Sequence, residues 1–163
     1  MESPKKEPNG IGGWLIVPAL GLIITPFRIG LQFYLDLLPP LTPERWSAVT
    51  HPDSADYHPL WGPLIAFEVI AAAAFFIFTL WLLWLFFTKS KRVPRLVIIW
   101  LALLPAIQVA GYLLAAQIPA ITAQPFGPEE AKEIVLSIIN AVIWIPYFIR
   151  SRRVKNTFIE PLS

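Results

Sequence analysis

The sequence predicts an all-α integral membrane protein, a bundle of four transmembrane helices with both termini on the cytoplasmic side. Three observations carry that expectation. Hydrophobic residues make up 56% of the 163-residue chain and charged residues 15%, against roughly 45–50% and about 25% in soluble domains. The apolar residues fall in four blocks almost free of charge, each near the about 20 residues that cross roughly 30 Å of hydrocarbon. The Lys and Arg residues outside those blocks gather in alternate connecting segments. Length alone would allow one soluble domain, but this distribution excludes it.

The elements follow in order along one four-span membrane domain, residues 1–163. Residues 1–12, MESPKKEPNGIG, read as a polar cytoplasmic tail. The first span, about 14–38, is WLIVPALGLIITPFRIGLQFYLDLL, longer than a signal-peptide core and so a retained anchor. Pro18 and Pro26 are each expected to release a backbone bond and bend it. A polar segment interrupted by Pro39, Pro40, Pro43, Pro52 and Pro59 follows. The second span, about 62–87, opens on Gly62-Pro63, with proline where a first-turn N–H would go unpaired. It ends in Trp81, Trp84, Phe86 and Phe87, an expected interfacial belt. The short linker TKSKRVPR leads to the third span, about 96–118. A second polar loop follows, with Glu129, Glu130 and Glu133 in the first turn of the last helix, where they complement its positive end. The fourth span, about 133–149, closes on Trp144, Pro146, Tyr147 and Phe148, read as a second belt. Residues 150–163 form a basic cytoplasmic tail.

Sorting the cations by segment sets the orientation. Lys5 and Lys6 lie in the N-terminal tail, Lys89, Lys91, Arg92 and Arg95 in the middle linker, and Arg150, Arg152, Arg153 and Lys155 in the C-terminal tail. The two opposite loops hold Arg45 and Lys132 among Glu44, Asp53, Asp56, Glu129, Glu130 and Glu133. Basic bias in short loops marks the cytoplasmic side, and an even span count puts all three basic segments there. The linker and C-terminal cations are also expected to contact anionic lipid, at about 1 kcal/mol for each near the surface.

Two stretches at the C-terminus, WIPYF and SRRVKNTF, resemble the signature of a bacterial membrane family known as domain of unknown function 2569. The similarity extends to GGWLIVPALGLIITPFR, to GPLIAFEV and to FFTKSKRVPRLVIIW, and so covers nearly the whole chain. The resemblance implies a small four-span protein of the bacterial inner membrane. It supplies no catalytic residues.

Polar groups inside the spans are functional candidates, because a charge there costs about 2.5–3.5 kcal/mol on insertion scales. At a rise of 1.5 Å per residue, Arg28 and Gln108 lie roughly 20 Å from the cytoplasmic ends of spans one and three. Glu68 and Asn140 lie roughly 10 Å from the opposite ends of spans two and four. One polar residue per span thus falls in one layer, and an Arg28–Glu68 pair is expected. The plainer reading is a structural clamp, an ion pair and two amides that fix helix register. The sharper one is a ligand, proton or ion site in an outward-facing cavity.

Other features are weaker. His51, Asp53, Asp56 and His58 in HPDSADYH match no zinc spacing, so no metal is expected, and no cofactor box is evident. Asp36 reads as interfacial. Small residues spaced by four, Ala102, Ala106 and Ala110, then Gly111 and Ala115, permit close helix approach, within the chain or in a homo-oligomer. Cysteine is absent, which excludes disulfides and thiolate chemistry. No nucleophile elbow, phosphate loop, zinc-protease helix or nucleotide fingerprint occurs, and the basic segments are membrane edges rather than a nucleic-acid surface. The expectation is a non-catalytic protein that binds a membrane-protein partner or lipid. A small transporter or channel using the polar layer is the alternative, and a lipid-modifying enzyme built on Glu68 the third.

Overall fold

Four helices are long and apolar enough to cross a membrane, over Gly13–Leu37, Trp61–Phe87, Val93–Ala115 and Ala131–Arg150. The computed structural model describes residues 10–123 and 128–159, and among them there is no strand. Lys5 and Lys6 of the expected tail lie outside the described residues, as do the side chains of Glu129 and Glu130.

A tight 3₁₀ turn, Gly13–Leu15, leads into α1, Ile16–Gln32. The helix does not stop at Gln32 but widens into a π-turn over Phe33–Leu37, where the Leu38 N–H donates to Phe33 O at 2.8 Å. Of the two prolines expected to bend this span, Pro26 lies inside α1, while Pro18 falls in its first turn, where an N–H has no helical acceptor to lose. Thr25 Oγ1 donates to Gly21 O at 2.8 Å, one residue before Pro26. A short helix, α2 (Pro43–Thr50), then forms inside the segment expected to be irregular. Its start carried a legible signal: Pro43 stands in the first turn and Glu44 complements the helix end.

The second membrane helix is α3, Trp61–Phe87. It ends in a Schellman turn in which Ser90 N–H donates to Leu85 O and Lys89 N–H to Phe86 O. Lys89 takes the left-handed conformation there, with φ +55, a position that usually goes to glycine. The third membrane helix, α4 (Val93–Ala115), starts before the expected residue 96 because Pro94 fits its first turn. It also stops before the expected 118. Ile118 is extended (ψ 113) ahead of Pro119, as the residue before a proline tends to be. A single turn, α5 (Pro119–Thr122), connects onward to α6, Pro128–Arg150.

The expected basic tail is a folded element. Ser151 caps α7, Arg152–Thr157, by accepting the Val154 N–H. Val154, Thr157 and Phe158 are buried. Thr157 Oγ1 donates to Gly10 O at 3.2 Å, which joins the two termini at one end of the bundle. Gly12 and Gly13 lie against the Arg153 guanidinium. A Cβ on Gly12 would come within 3.0 Å of Arg153 Nη1, and Gly13 has φ +55. The tail also removes two aromatic residues from the expected belts. Phe86 is fully buried with the Phe158 ring across it at 5.1 Å, and Phe148 is buried too. Trp81, Trp84 and Phe87 stay exposed, as interfacial aromatics would.

The helices pack in chain order, α1 on α3, α3 on α4 and α4 on α6. Ile70, Ile77 and Trp84, spaced by seven on α3, form one of the outward apolar stripes that lipid would cover. The buried core lies in the half nearer the termini. Leu15, Ala19 and Leu22 come from α1, Leu82, Leu85 and Phe86 from α3, Val93, Val97 and Trp100 from α4, and Ala141 and Phe148 from α6. Trp100 tops this core. It stacks on Phe75 with ring centroids 5.8 Å apart, and its Nε1–H donates to Thr79 Oγ1 at 2.9 Å. The Thr79 hydroxyl in turn donates to Phe75 O at 2.7 Å.

Two outcomes are expected. Replacing Thr79 with Val strands a buried indole N–H and lowers stability by about 1 kcal/mol, toward the upper part of the range for membrane hydrogen bonds. Thermal unfolding in detergent reads it, and a Trp100→Phe background removes most of the effect. Gly13→Ala, at a left-handed position, costs about 1–2 kcal/mol. Gly21→Ala, with open space at its Cβ, leaves the melting temperature unchanged or raises it.

Candidate functional site

Above Trp100 the bundle is hollow. A cavity of about 850 Å³ occupies the half away from the termini, within the size range of small-molecule sites. Each helix presents it with one stripe. Trp61, Glu68 and Phe75 recur every seven residues on α3, with Ala71 and Ala72 between them. Leu104, Gln108, Gly111 and Ala115 follow the same face of α4. Residues seven or four apart on a helix share a side, so both stripes follow from the folding of the two helices. The end of α1 contributes Ile29, Gln32, Asp36 and Leu37. Asp36 and Leu37 belong to the π-turn, a local widening of the kind that recurs at functional sites. The connection after α4 covers the top with Ala120, Ile121 and Thr122, held by Ile118, which is fully buried. Glu133 and Ile134 of α6 complete the wall.

The polar groups are few and unevenly served. Of the four residues of the expected polar layer, Glu68 and Gln108 line this space. Gln108 Oε1 and Trp61 Nε1 are buried and have no hydrogen-bond partner among the described residues. Asp36 lies near enough for its charge to act on Glu68. Among the described residues, neither Glu68 nor Asp36 forms an ion pair. No Lys, Arg or His lines the cavity among those residues.

The other two members of the expected layer lie elsewhere. Arg28 does not pair with Glu68. Its Nη2 meets Glu133 Oε1 at 3.6 Å, with both side chains largely exposed. This contact bridges α1 and α6, which are not among the closely packed helix pairs. Arg28 shares a side of α1 with Gln32, four residues on, but it is not part of the cavity lining, and its long side chain reaches across to Glu133 of α6 instead. Asn140 is exposed on α6, next to the buried Ala141 and away from the cavity wall. Equal depth along an axis therefore did not mean a shared side. Three contributors were not picked out from the sequence. Asp36 and Glu133 had been placed at the interface and in a helix's first turn, and Trp61 had served as a span boundary. The spacing of seven from Trp61 to Glu68 to Phe75 was the available signal.

The small residues behave differently from the expectation of close helix approach. Gly111 and Ala115 line the cavity, while Ala102 and Ala106 are exposed. His51, Asp53, Asp56 and His58 do not converge: among the described residues no group of three or more His, Cys, Asp or Glu is placed to hold a metal ion. His51 and His58 instead accept the Asp53 and Leu60 N–H groups on Nδ1. The eight cations expected to meet anionic lipid are all at the terminal end. Lys89, Lys91, Arg92, Arg95, Arg150, Arg152 and Lys155 are exposed, and Arg153 is half-buried against the N-terminal glycines.

Residues 8–159 match the family described as "Protein of unknown function (DUF2569)". The chain belongs to that family. It is also 30% identical over 158 residues to the inner membrane protein YdgK of Escherichia coli strain K12, across 94% of this chain and 97% of that protein. No solved structure matches it. The family match runs from before the Gly12-Gly13 pair to beyond Phe158, and so takes in both partners of the terminal clasp as well as the cavity. The four membrane-crossing helices and an inner-membrane relative together make this chain a membrane protein.

The gap between α1 and α6 is testable with cysteine pairs, because the chain has no cysteine of its own. Arg28→Cys combined with Glu133→Cys is expected to be bridged within one chain by a short bismaleimide in most molecules. Arg28→Cys with Asn140→Cys is expected to remain unbridged. Peptide mass mapping reads both.

Proposed function

We propose that this protein is a non-catalytic binding protein of the bacterial inner membrane, which holds a small amphiphilic ligand of lipid-like character in the cavity between its helices. One observation supports this reading above the others: about 850 Å³ of space at membrane depth, walled by Phe67, Phe75, Leu104 and Ile107 and carrying only a few polar groups. That balance of apolar wall and sparse polar contacts is the usual make-up of a ligand site. The side between α1 and α6, strapped by Arg28–Glu133, is a lateral route by which a lipid-like molecule would enter without leaving the bilayer.

Holding is favoured over conduction by the Trp100–Phe75 floor and the filled core beneath it, which leave the cavity in one half of the bundle. Binding is favoured over catalysis because, among the described residues, no Ser, Cys or His stands beside the carboxyl groups of the lining, and carboxyl groups by themselves supply only part of a reaction site. Termini on the cytoplasmic side agree with the clustering of cations around the terminal end. On this reading those cations meet anionic headgroups, and the cavity opens toward the opposite leaflet.

The test uses a diazirine-bearing fatty alcohol as a photoactivatable probe, with the full chain in phosphatidylcholine nanodiscs. Crosslinks are expected at Phe67, Phe75 and the Gly111 turn. Filling the space with Ala71→Phe together with Gly111→Leu is expected to reduce them about tenfold, equivalent to about 1.4 kcal/mol. Labels confined to outward positions such as Ile70 and Ile77, unchanged by the filling pair, would overturn the reading.

A further inference from the structure

We propose that the ligand of this cavity carries a cationic ammonium head, which Glu68, Asp36 and the Gln108 carbonyl receive inside the bundle. The proposal rests on the binding reading above and adds the chemistry of the head group.

Charge is the first consideration. Asp36 and Glu68 come from different helices and line the same space. Glu133 is engaged by Arg28 at the edge. The wall therefore has two carboxyl groups without a cationic partner among the described residues, and no Lys, Arg or His lines it there. Glu68 is half-buried and Asp36 exposed at the cavity's edge; two carboxylates facing one space are costly, and an opposite charge placed between them relieves that cost. An anionic head group would meet only repulsion here.

The second consideration is independent of charge. Gln108 Oε1 is a buried acceptor that receives no hydrogen bond from the described residues. A buried acceptor left unpaired costs about 1–3 kcal/mol. An ammonium group presents up to three N–H donors and no acceptor, which matches an acceptor amide set beside two carboxylates. The third consideration is the wall itself. Trp61, Phe67, Phe75 and Tyr112 present aromatic rings to the cavity, and ring faces attract cations. Rings and aliphatic side chains cannot replace the water shell of a small inorganic ion. They suit an organic cation whose charge is attached to an apolar body.

Three diazirine probes with one alkyl chain and different heads distinguish this proposal from the binding reading beneath it. A primary amine, an alcohol and a carboxylic acid are compared on the full chain in phosphatidylcholine nanodiscs, where the bilayer adds no net charge. The amine is expected to label the cavity about tenfold more than the alcohol, with the carboxylic acid weakest. Glu68→Gln and Asp36→Asn, made separately, are each expected to lower amine labelling toward the level of the alcohol. In each variant the alcohol's crosslinks should still map to Phe67 and Phe75, which shows that its cavity is intact, while the ratio of amine to alcohol labelling falls toward one. If one variant fails to accumulate, the other carries the test, since they lie on different helices. Equal cavity labelling by amine and alcohol would overturn the ammonium assignment and leave the binding reading standing. Absence of cavity labelling by all three probes would overturn both.

Discussion

Trp100 lies beneath Phe75 and donates its indole N–H to Thr79, and at that contact the bundle passes from a filled half to a hollow one. Below it, Leu22, Leu82, Leu85, Phe86, Val93 and Val97 interdigitate with almost no exposed surface, and dispersion contacts of this density make a rigid base. Above it the inward positions include Ala71, Ala72 and Ala115, too small to fill the space, while the Phe67 ring lies beside Gly111. A large aromatic side chain with a satisfied N–H is well suited to this boundary. It closes the core from above with a flat surface and leaves no unpaired donor in an apolar region.

The hollow half explains how carboxyl groups are carried inside a membrane protein. Charged side chains at membrane depth are tolerated where they face a bundle interior or a cavity, and Glu68 and Asp36 do so. The same arrangement leaves the helices short of mutual contact. Packing runs from α1 through α3 and α4 to α6 but leaves the ends of that series apart. Two polar fastenings span the gap. Near the termini, Arg153 lies over Gly12-Gly13 and Thr157 bonds Gly10. In the hollow half, Arg28 meets Glu133. The first is continuous with the buried Val154 and Phe158 and so shares the rigidity of the core. The second is a single exposed contact, of a kind worth little by itself, and it leaves that side of the cavity the easier one to open.

Much of this molecule was legible before any coordinates. The apolar blocks and Gly62-Pro63 marked out the spans, while Pro94, which opens α4, was a start signal left unused. Glu68 and Gln108 stood out because polar groups inside a span are costly in hydrocarbon, and both line the cavity. The misreadings share one cause. Arg28 and Asn140 were grouped with them by height along the membrane normal, a coordinate that helix rise supplies. The direction around each helix axis depends on which neighbour it packs against. Phe86 and Phe148 were assigned to interfacial belts because the residues after them are basic, and nothing local says that this basic stretch folds back over them. The π-turn that carries Asp36 had no sequence signal, since one widened turn leaves the hydrophobic pattern almost unchanged.

From the sequence alone came the number of crossings, their order and the placement of both termini at one end, because hydrocarbon thickness and backbone hydrogen bonding allow an apolar chain so few solutions. Only the tertiary structure decided that the glycines of the first turn and the arginines of the tail form one fastening, and that Arg28 serves Glu133 rather than Glu68. It also decided that the inward polar groups line a space instead of closing on one another. Each of these depends on rotations about helix axes and on the gaps left between packed surfaces, which many sequences with the same hydropathy profile would settle differently.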